Sequence, residues 1–195
     1  SVTSARQSVK VVVAYDFSPS SEQALRAAVD LAARETHHVL HIAGILDPHD
    51  RVTIAGFEEH PTYDTAEKIQ KVISEHVAAA FAGRPTEGDV EFYVHARIGK
   101  AAPELLMLAG EVGADLIYIG SHGKTGIERL LLGSVSERVV REAKCPVVVV
   151  RPKTYADVTL MKVSKYEHPH LPHREPHVYS YSNRQVIFRP DAWPI

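Results

Sequence analysis

Short apolar runs alternate along this chain with longer segments whose apolar positions recur every three to four residues. Residues 9–15, Val-Lys-Val-Val-Val-Ala-Tyr, have the near-continuous apolar character of a strand covered on both faces. A turn, Asp16-Phe17-Ser18-Pro19, supplies an N-cap candidate and a proline near the first helical position. It predicts a helix to about Arg34 with Ala24, Ala28, Leu31 and Ala32 as its buried stripe. Residues 38–45 read as a second strand, and residues 47–61, rich in Asp, Gly and Pro, as a loop. Residues 62–82 predict a long amphipathic helix lined by Ile69, Val72, Ile73, His76, Val77 and Ala80. A third strand is expected over 89–95 and a helix over 103–112, stopped by Gly113. Residues 116–119, Leu-Ile-Tyr-Ile, read as a fourth strand and residues 145–151 as a fifth. Between them, residues 134–143 predict a helix with Ser134 at the N-cap, Glu137 completing a capping box, and Val135, Val139 and Ala143 on one face.

Strands and helices alternating at this spacing predict a parallel sheet with helices on both faces. Ligands of such sheets sit outside the carboxyl ends of the strands, at the switch in strand order. The fourth strand empties there into Gly120-Ser121-His122-Gly123-Lys124-Thr125-Gly126, with a further helix start at Gly133-Ser134. Glycines let backbone approach an oxyanion closely, and a helix N-terminus offers unpaired N–H groups and partial positive charge. The stretch therefore reads as a cradle for a nucleotide's phosphate chain.

Composition narrows the field. The 195 residues suffice for one α/β domain of about 150 residues with a remainder. A net charge of −2, without a local basic run, gives no reason to expect nucleic acid. No apolar stretch approaches the roughly 18 residues needed to span a bilayer, and the polar residues 1–8 do not read as a signal peptide. A single cysteine, Cys145, excludes an internal disulfide and fits a reducing cytoplasm.

The spacing Gly120-x2-Gly123-x9-Gly133-Ser134 resembles the nucleotide-binding signature of the universal stress protein family. Asp16-Phe17-Ser18 after the first strand and Lys144-Cys145-Pro146-Val147-Val148-Val149 at the fifth extend the likeness over residues 9–152. The resemblance implies a Rossmann-like five-stranded parallel sheet of order 3-2-1-4-5, akin to adenine nucleotide alpha hydrolases. It also implies the ATP-binding branch and a homodimer, or a higher oligomer, joined partly through the last strand. On that resemblance Asp16 would lie near the ribose or phosphates, and Ile42 would present backbone groups and an apolar surface to adenine. Gly120, Gly123, Gly133, Ser134, Val135 and Ser136 would bind phosphates, with His122 and Lys124 as neighbours. Residues 96–100 would close over the ribose, where Arg97 or Lys100 could add positive charge. The domains expected are 1–152, binding the nucleotide, and 153–195, an extension.

The same residues admit blander accounts. The glycines could form a tight turn without a ligand, Ser134 would cap its helix in either case, and Asp16 could simply cap the first helix. His41 would pack in the sheet, and Cys145 would be a small core residue. The Walker pattern is absent, since Gly123-Lys124-Thr125 has no glycine five positions earlier. No carboxylate pair near the glycines declares a metal clamp, although Asp16 could hold one Mg²⁺. The expectation is thus a switch that binds ATP, or ADP or AMP, with little or no hydrolysis and an unidentified signalling partner. A slow ATPase, with His122 orienting water, and a dimeric scaffold are the alternatives. The extension carries His168, His170, His173 and His177, interleaved with prolines that forbid a continuous helix. Those histidines are candidate ligands for a divalent metal. Residues 178–193 hold too many aromatic and aliphatic groups for a purely solvated tail, so an arm covering the crevice or crossing the dimer is expected.

Overall fold

Alternation within the first strand divides the molecule into two cores. In β1 (Val9–Ala14), Val11 and Val13 point to one face of the sheet and Val12 to the other, and all three are wholly buried. In the computed structural model, which describes residues 8–35, 37–54, 56–86, 90–122 and 132–152, β1 lies at the centre of a five-stranded sheet. The first face is covered by α1 (Pro19–Arg34) and α2 (Tyr63–Phe81), the second by α3 (Ala101–Val112) and α4 (Ser134–Glu142).

The other strands are β2 (His38–Leu46), β5 (Glu91–Ile98), β6 (Leu116–Gly120) and β7 (Val147–Val150). Their order is β5-β2-β1-β6-β7, all parallel. Counting only these five in chain order, that is the 3-2-1-4-5 arrangement expected. Two further short strands, β3 (Val52–Ile54) and β4 (Phe57–Glu59), pair antiparallel as a small hairpin outside the sheet. This corrects the expected loop over 47–61: three-residue strands are too short to show an alternation.

Local chemistry fixes the helix starts. Ser18 caps α1, its side chain accepting from Ser21 N at 3.1 Å, with Pro19 at the first position. Thr62 and Thr65 cap α2 reciprocally, each side chain accepting from the other's backbone N–H at 3.2 Å. α3 begins at Ala101, two residues earlier than expected, and ends at Gly113 in the left-handed conformation (φ 62). α4 departs from expectation at its first residue. Gly133, not Ser134, is the N-cap, there is no side-chain cap bond, and Ser134 is already helical, so no capping box forms.

The end of β6 is unusually tight. A Cβ on Gly120 would lie 2.6 Å from the backbone of Ser20, so glycine is needed to seat the first turn of α1 on the strand. Beyond it, Ser121 N donates to Val150 O at 3.2 Å and Gly133 N donates to Ser121 O at 2.8 Å. Ser121 and Gly133 are thus held together at the end of the sheet.

Among the described residues no helix is long and apolar enough to cross a membrane.

Candidate functional site

β1 and β2 run to one side of the switch in strand order and β6 and β7 to the other. A cavity of about 350 Å³ opens at their carboxyl ends. Its floor is Ala14, Tyr15 and Asp16 from β1 and the turn after it. One wall is Ala43, Ile45, Leu46 and Asp47, continued by Asp50, Arg51 and Val52. Ala101 and Leu105 of α3 close a second side, and Gly120, His122, Gly133, Ser134, Val135 and Ser136 form the opposite wall.

Asp16 is held rather than free. Its Oδ1 accepts from Ser18 N at 3.0 Å and its own N–H donates to Ser21 Oγ at 3.2 Å. The α1 cap itself is Ser18, which leaves Asp16 Oδ2 without a bond to a described residue. Phe17 follows with φ 64, a costly value for a bulky residue. Its ring is wedged edge-on against Tyr15 (4.9 Å) and His76 (5.5 Å). Below, Tyr15 Oη donates to Glu22 Oε2 at 2.8 Å and meets His76 Nδ1 at 2.8 Å. Since the phenol's one proton goes to Glu22, His76 Nδ1 is the donor to Tyr15. Burial and the Glu22 carboxylate push the Tyr15 hydroxyl above its ordinary range.

The opposite wall is rich in donors. Because Gly133 offers no side chain, the first N–H groups of α4 find no described acceptor, and they open on the cavity. Ser136 points inward: buried, its hydroxyl donates to Gly120 O at 2.7 Å and so ties α4 to β6. His122 receives support from both sides. Its N–H donates to Ser20 Oγ at 3.2 Å and its Nδ1 meets Ser121 Oγ at 2.9 Å. Its Nε2 is buried without a partner among the described residues.

Several expected positions land elsewhere. Ile42 is wholly buried in the α1–α2 core, while Ala43 and Ile45, one and three residues along and so on the other face of β2, supply the apolar wall. A one-residue step in a strand reverses the face, which is the physical reason for the correction. Arg97 lies within β5, not in a closing loop. It pairs with Glu111 of α3 and, at 3.5 Å, with Glu104. Lys100 Nζ bonds Asp47 Oδ2 at 2.8 Å, and that bond, with His49 N–H, holds the Asp47 carboxyl below its usual range. Gly123, Lys124, His168, His170, His173 and His177 lie outside the described residues. Asp47 lies at the strand end expected to face the crevice, whereas Asp50 and Arg51 are lining residues the sequence pattern did not single out. Only their position after the carboxyl end of β2 could have flagged them. Among the described residues no group of three or more His, Cys, Asp or Glu is disposed to hold a metal.

Comparison with known proteins gives concordant results. The model of the universal stress protein family matches residues 9–151. Universal stress protein MJ0531 of Methanocaldococcus jannaschii is 31% identical over 142 residues, covering 73% of this chain and 81% of that protein. A structure of the hypothetical protein MJ0577 aligns with a TM-score of 0.53 and 26% identity, covering 75% of this chain and 98% of that one. A universal stress protein in complex with cAMP aligns with a TM-score of 0.51 and 26% identity, covering 73% and 97%.

Proposed function

Since the chain belongs to the universal stress protein family, we propose that its cavity binds ATP, or ADP or AMP, and serves as a nucleotide-dependent stress or signalling switch with little or no hydrolysis. The observation that carries this reading is the uncapped start of α4, whose free N–H groups open on the cavity beside Gly120. The likeness to a family member in complex with cAMP supports an adenine nucleotide as the class of ligand. Ser134, Val135 and Ser136 would hold phosphates through backbone N–H groups, with the Ser134 hydroxyl and His122 Nε2 as further contacts, while the Gly133 N–H, expected to join them, is engaged by Ser121 O. Ala43 and Ile45 would lie against the base, a role the sequence reading gave to Ile42. A Mg²⁺ ion accompanying the phosphates would supply charge neutralisation, and Asp16, with one carboxylate oxygen unengaged, is the residue suited to it.

Denaturing the purified protein and identifying released small molecules by mass spectrometry tests the reading, together with calorimetric titration of ATP, ADP, AMP and cAMP. An adenine nucleotide, bound and intact for hours, is expected. No binding at millimolar concentration would overturn it. The unpartnered His122 Nε2 favours one second reading, a slow ATPase in which that nitrogen orients a water. Steady turnover abolished by His122→Ala would establish it.

Assembly belongs to the same proposal. β7 is an edge strand of four valines whose outer side meets no described strand, and such an edge invites a second copy. Val149→Pro, at a position whose N–H faces away from β6, should shift the mass in light scattering from dimer to monomer. Residues 153–195 would form an arm on the dimer or over the cavity. Truncation after Pro152 that left mass, stability and nucleotide affinity unchanged would refute that part. A cytoplasmic location is proposed too, consistent with one cysteine, Cys145, whose thiol burial pushes up to about 11.

A further inference from the structure

Away from the cavity, the β2–β5 edge of the sheet brings two imidazoles face to face. The strands pair in parallel with His41 opposite Tyr93 and Ala43 opposite His95, so His41 and His95 are diagonal neighbours on one face. Ala43 on that face packs into the α3–α4 core, and Arg97, two residues beyond His95, reaches Glu104 and Glu111 of α3. β5 is the last strand of the sheet, and Tyr93 remains 48% exposed. His41 Nδ1 and His95 Nε2 lie 2.9 Å apart, and Tyr93 stacks on His41 at 5.3 Å and 14°. Neither histidine lines the cavity.

We propose that His41 and His95 form a two-histidine site for a borderline divalent transition-metal ion, of the Zn²⁺, Ni²⁺ or Cu²⁺ kind, on the open edge of the sheet. The argument begins with distance. Imidazole nitrogens bind zinc at about 2.0–2.1 Å, which sets two of them about 2.9 Å apart at a right angle and about 3.3 Å apart at the tetrahedral angle. The observed 2.9 Å is that of a hydrogen bond between the two rings, within about 0.4 Å of the tetrahedral span, so a small opening and outward turn of the rings brings both nitrogens to metal-binding distance. Imidazole is also the ligand type that suits zinc, copper and nickel.

Without an ion, one ring donates its N–H to the other. To admit a metal the donor ring moves its proton to its other nitrogen, so both facing nitrogens present lone pairs and no proton is released. Protons compete weakly for this pair. Burial holds His41 down at about 4 and His95 below its ordinary range, with His95 and Lys10 adding to the effect on His41 and Arg97 to that on His95. Glu91 and Glu111 act in the opposite sense and favour a cation. The Arg97 charge is already met by Glu104 and Glu111. Two protein ligands leave the remaining positions to water from the exposed side; among the described residues no third His, Cys, Asp or Glu completes a cage.

The test is a Zn²⁺ titration by calorimetry on the full chain carrying His168→Ala, His170→Ala, His173→Ala and His177→Ala, which removes the competing tail. Binding at one equivalent is expected, at least 10-fold weakened by His95→Gln and by His41→Gln. Zn²⁺ should raise the melting temperature of the parent and of neither variant. His95, the less buried of the two, gives the variant that keeps the test decisive if His41→Gln fails to fold. Affinity should fall less between pH 7.5 and pH 6 than that of two exposed histidines with an ordinary pKa near 6.5, which weakens about 10-fold. No binding at 1 mM Zn²⁺, equal affinity in His95→Gln, or binding that vanishes at pH 6 would each overturn the proposal.

Discussion

Acidification should loosen this fold through His41. The residue is 8% exposed, on the second strand of the sheet, and burial with the neighbouring His95 and Lys10 lowers it from 6.5 to about 4. The unfolded chain therefore takes up this proton first as pH falls. Stability associated with His41 is complete above pH 6.5 and declines as pH drops toward 4. With those two values the loss at pH 5 is about 2 kcal/mol, approaching about 3 kcal/mol well below pH 4. For a domain of this size about 2 kcal/mol corresponds to roughly 4–8 °C in melting temperature. The assay is urea unfolding at pH 7.5 and pH 5 with EDTA present, on the parent and on His41→Gln. Other groups titrate in both proteins, so the informative quantity is the difference. The variant should lose about 2 kcal/mol less than the parent between the two pH values. Equal losses would refute the reasoning, as would a parent whose stability does not change.

Further substitutions probe packing and the hydrogen bond that supports it. Gly44→Ala would place a Cβ 2.6 Å from Ile73 Cδ1, costing about 1–3 kcal/mol. Adding Ile73→Val removes that methyl, and urea midpoints of the single and double variants should show recovery of part of the loss. Gly120→Ala meets the backbone of Ser20 at 2.6 Å as well as its Oγ at 2.5 Å, so it should destabilise by about 1–3 kcal/mol, and adding Ser20→Ala should not restore the loss. Ser136→Ala removes the 2.7 Å bond to Gly120 O and leaves a buried carbonyl unpaired, which should lower thermal stability by about 1–3 kcal/mol.

What could be read from the sequence was the part that depends on neighbours in the chain. The apolar runs of β1, β2, β6 and β7 and the capped start of α1 are local signals, and right-handed crossovers then leave few sheet orders to consider. The location of the crevice followed from the same topology. Harder were the features set by pairing at a distance. Whether Ile42 or Ala43 faces the cavity is a question of parity that only the register with β1 and β5 answers. Arg97 looked available until α3 supplied Glu104 and Glu111, and the contact of His41 with His95 spans 54 residues of sequence. Gly133 and Ser134 are both acceptable caps; backbone angles at Gly133 (φ −63, ψ 151) decide between them.

The bond from Gly133 N to Ser121 O has a bearing on how this protein can vary. Ser121 and Gly133 are fastened to each other and, through Ser121 N, to Val150. The start of α4 is thereby pinned to the end of β6 by main-chain groups alone, so side-chain changes at Ser121 leave that clamp in place, whereas one residue inserted into β6 would reverse every side chain beyond it.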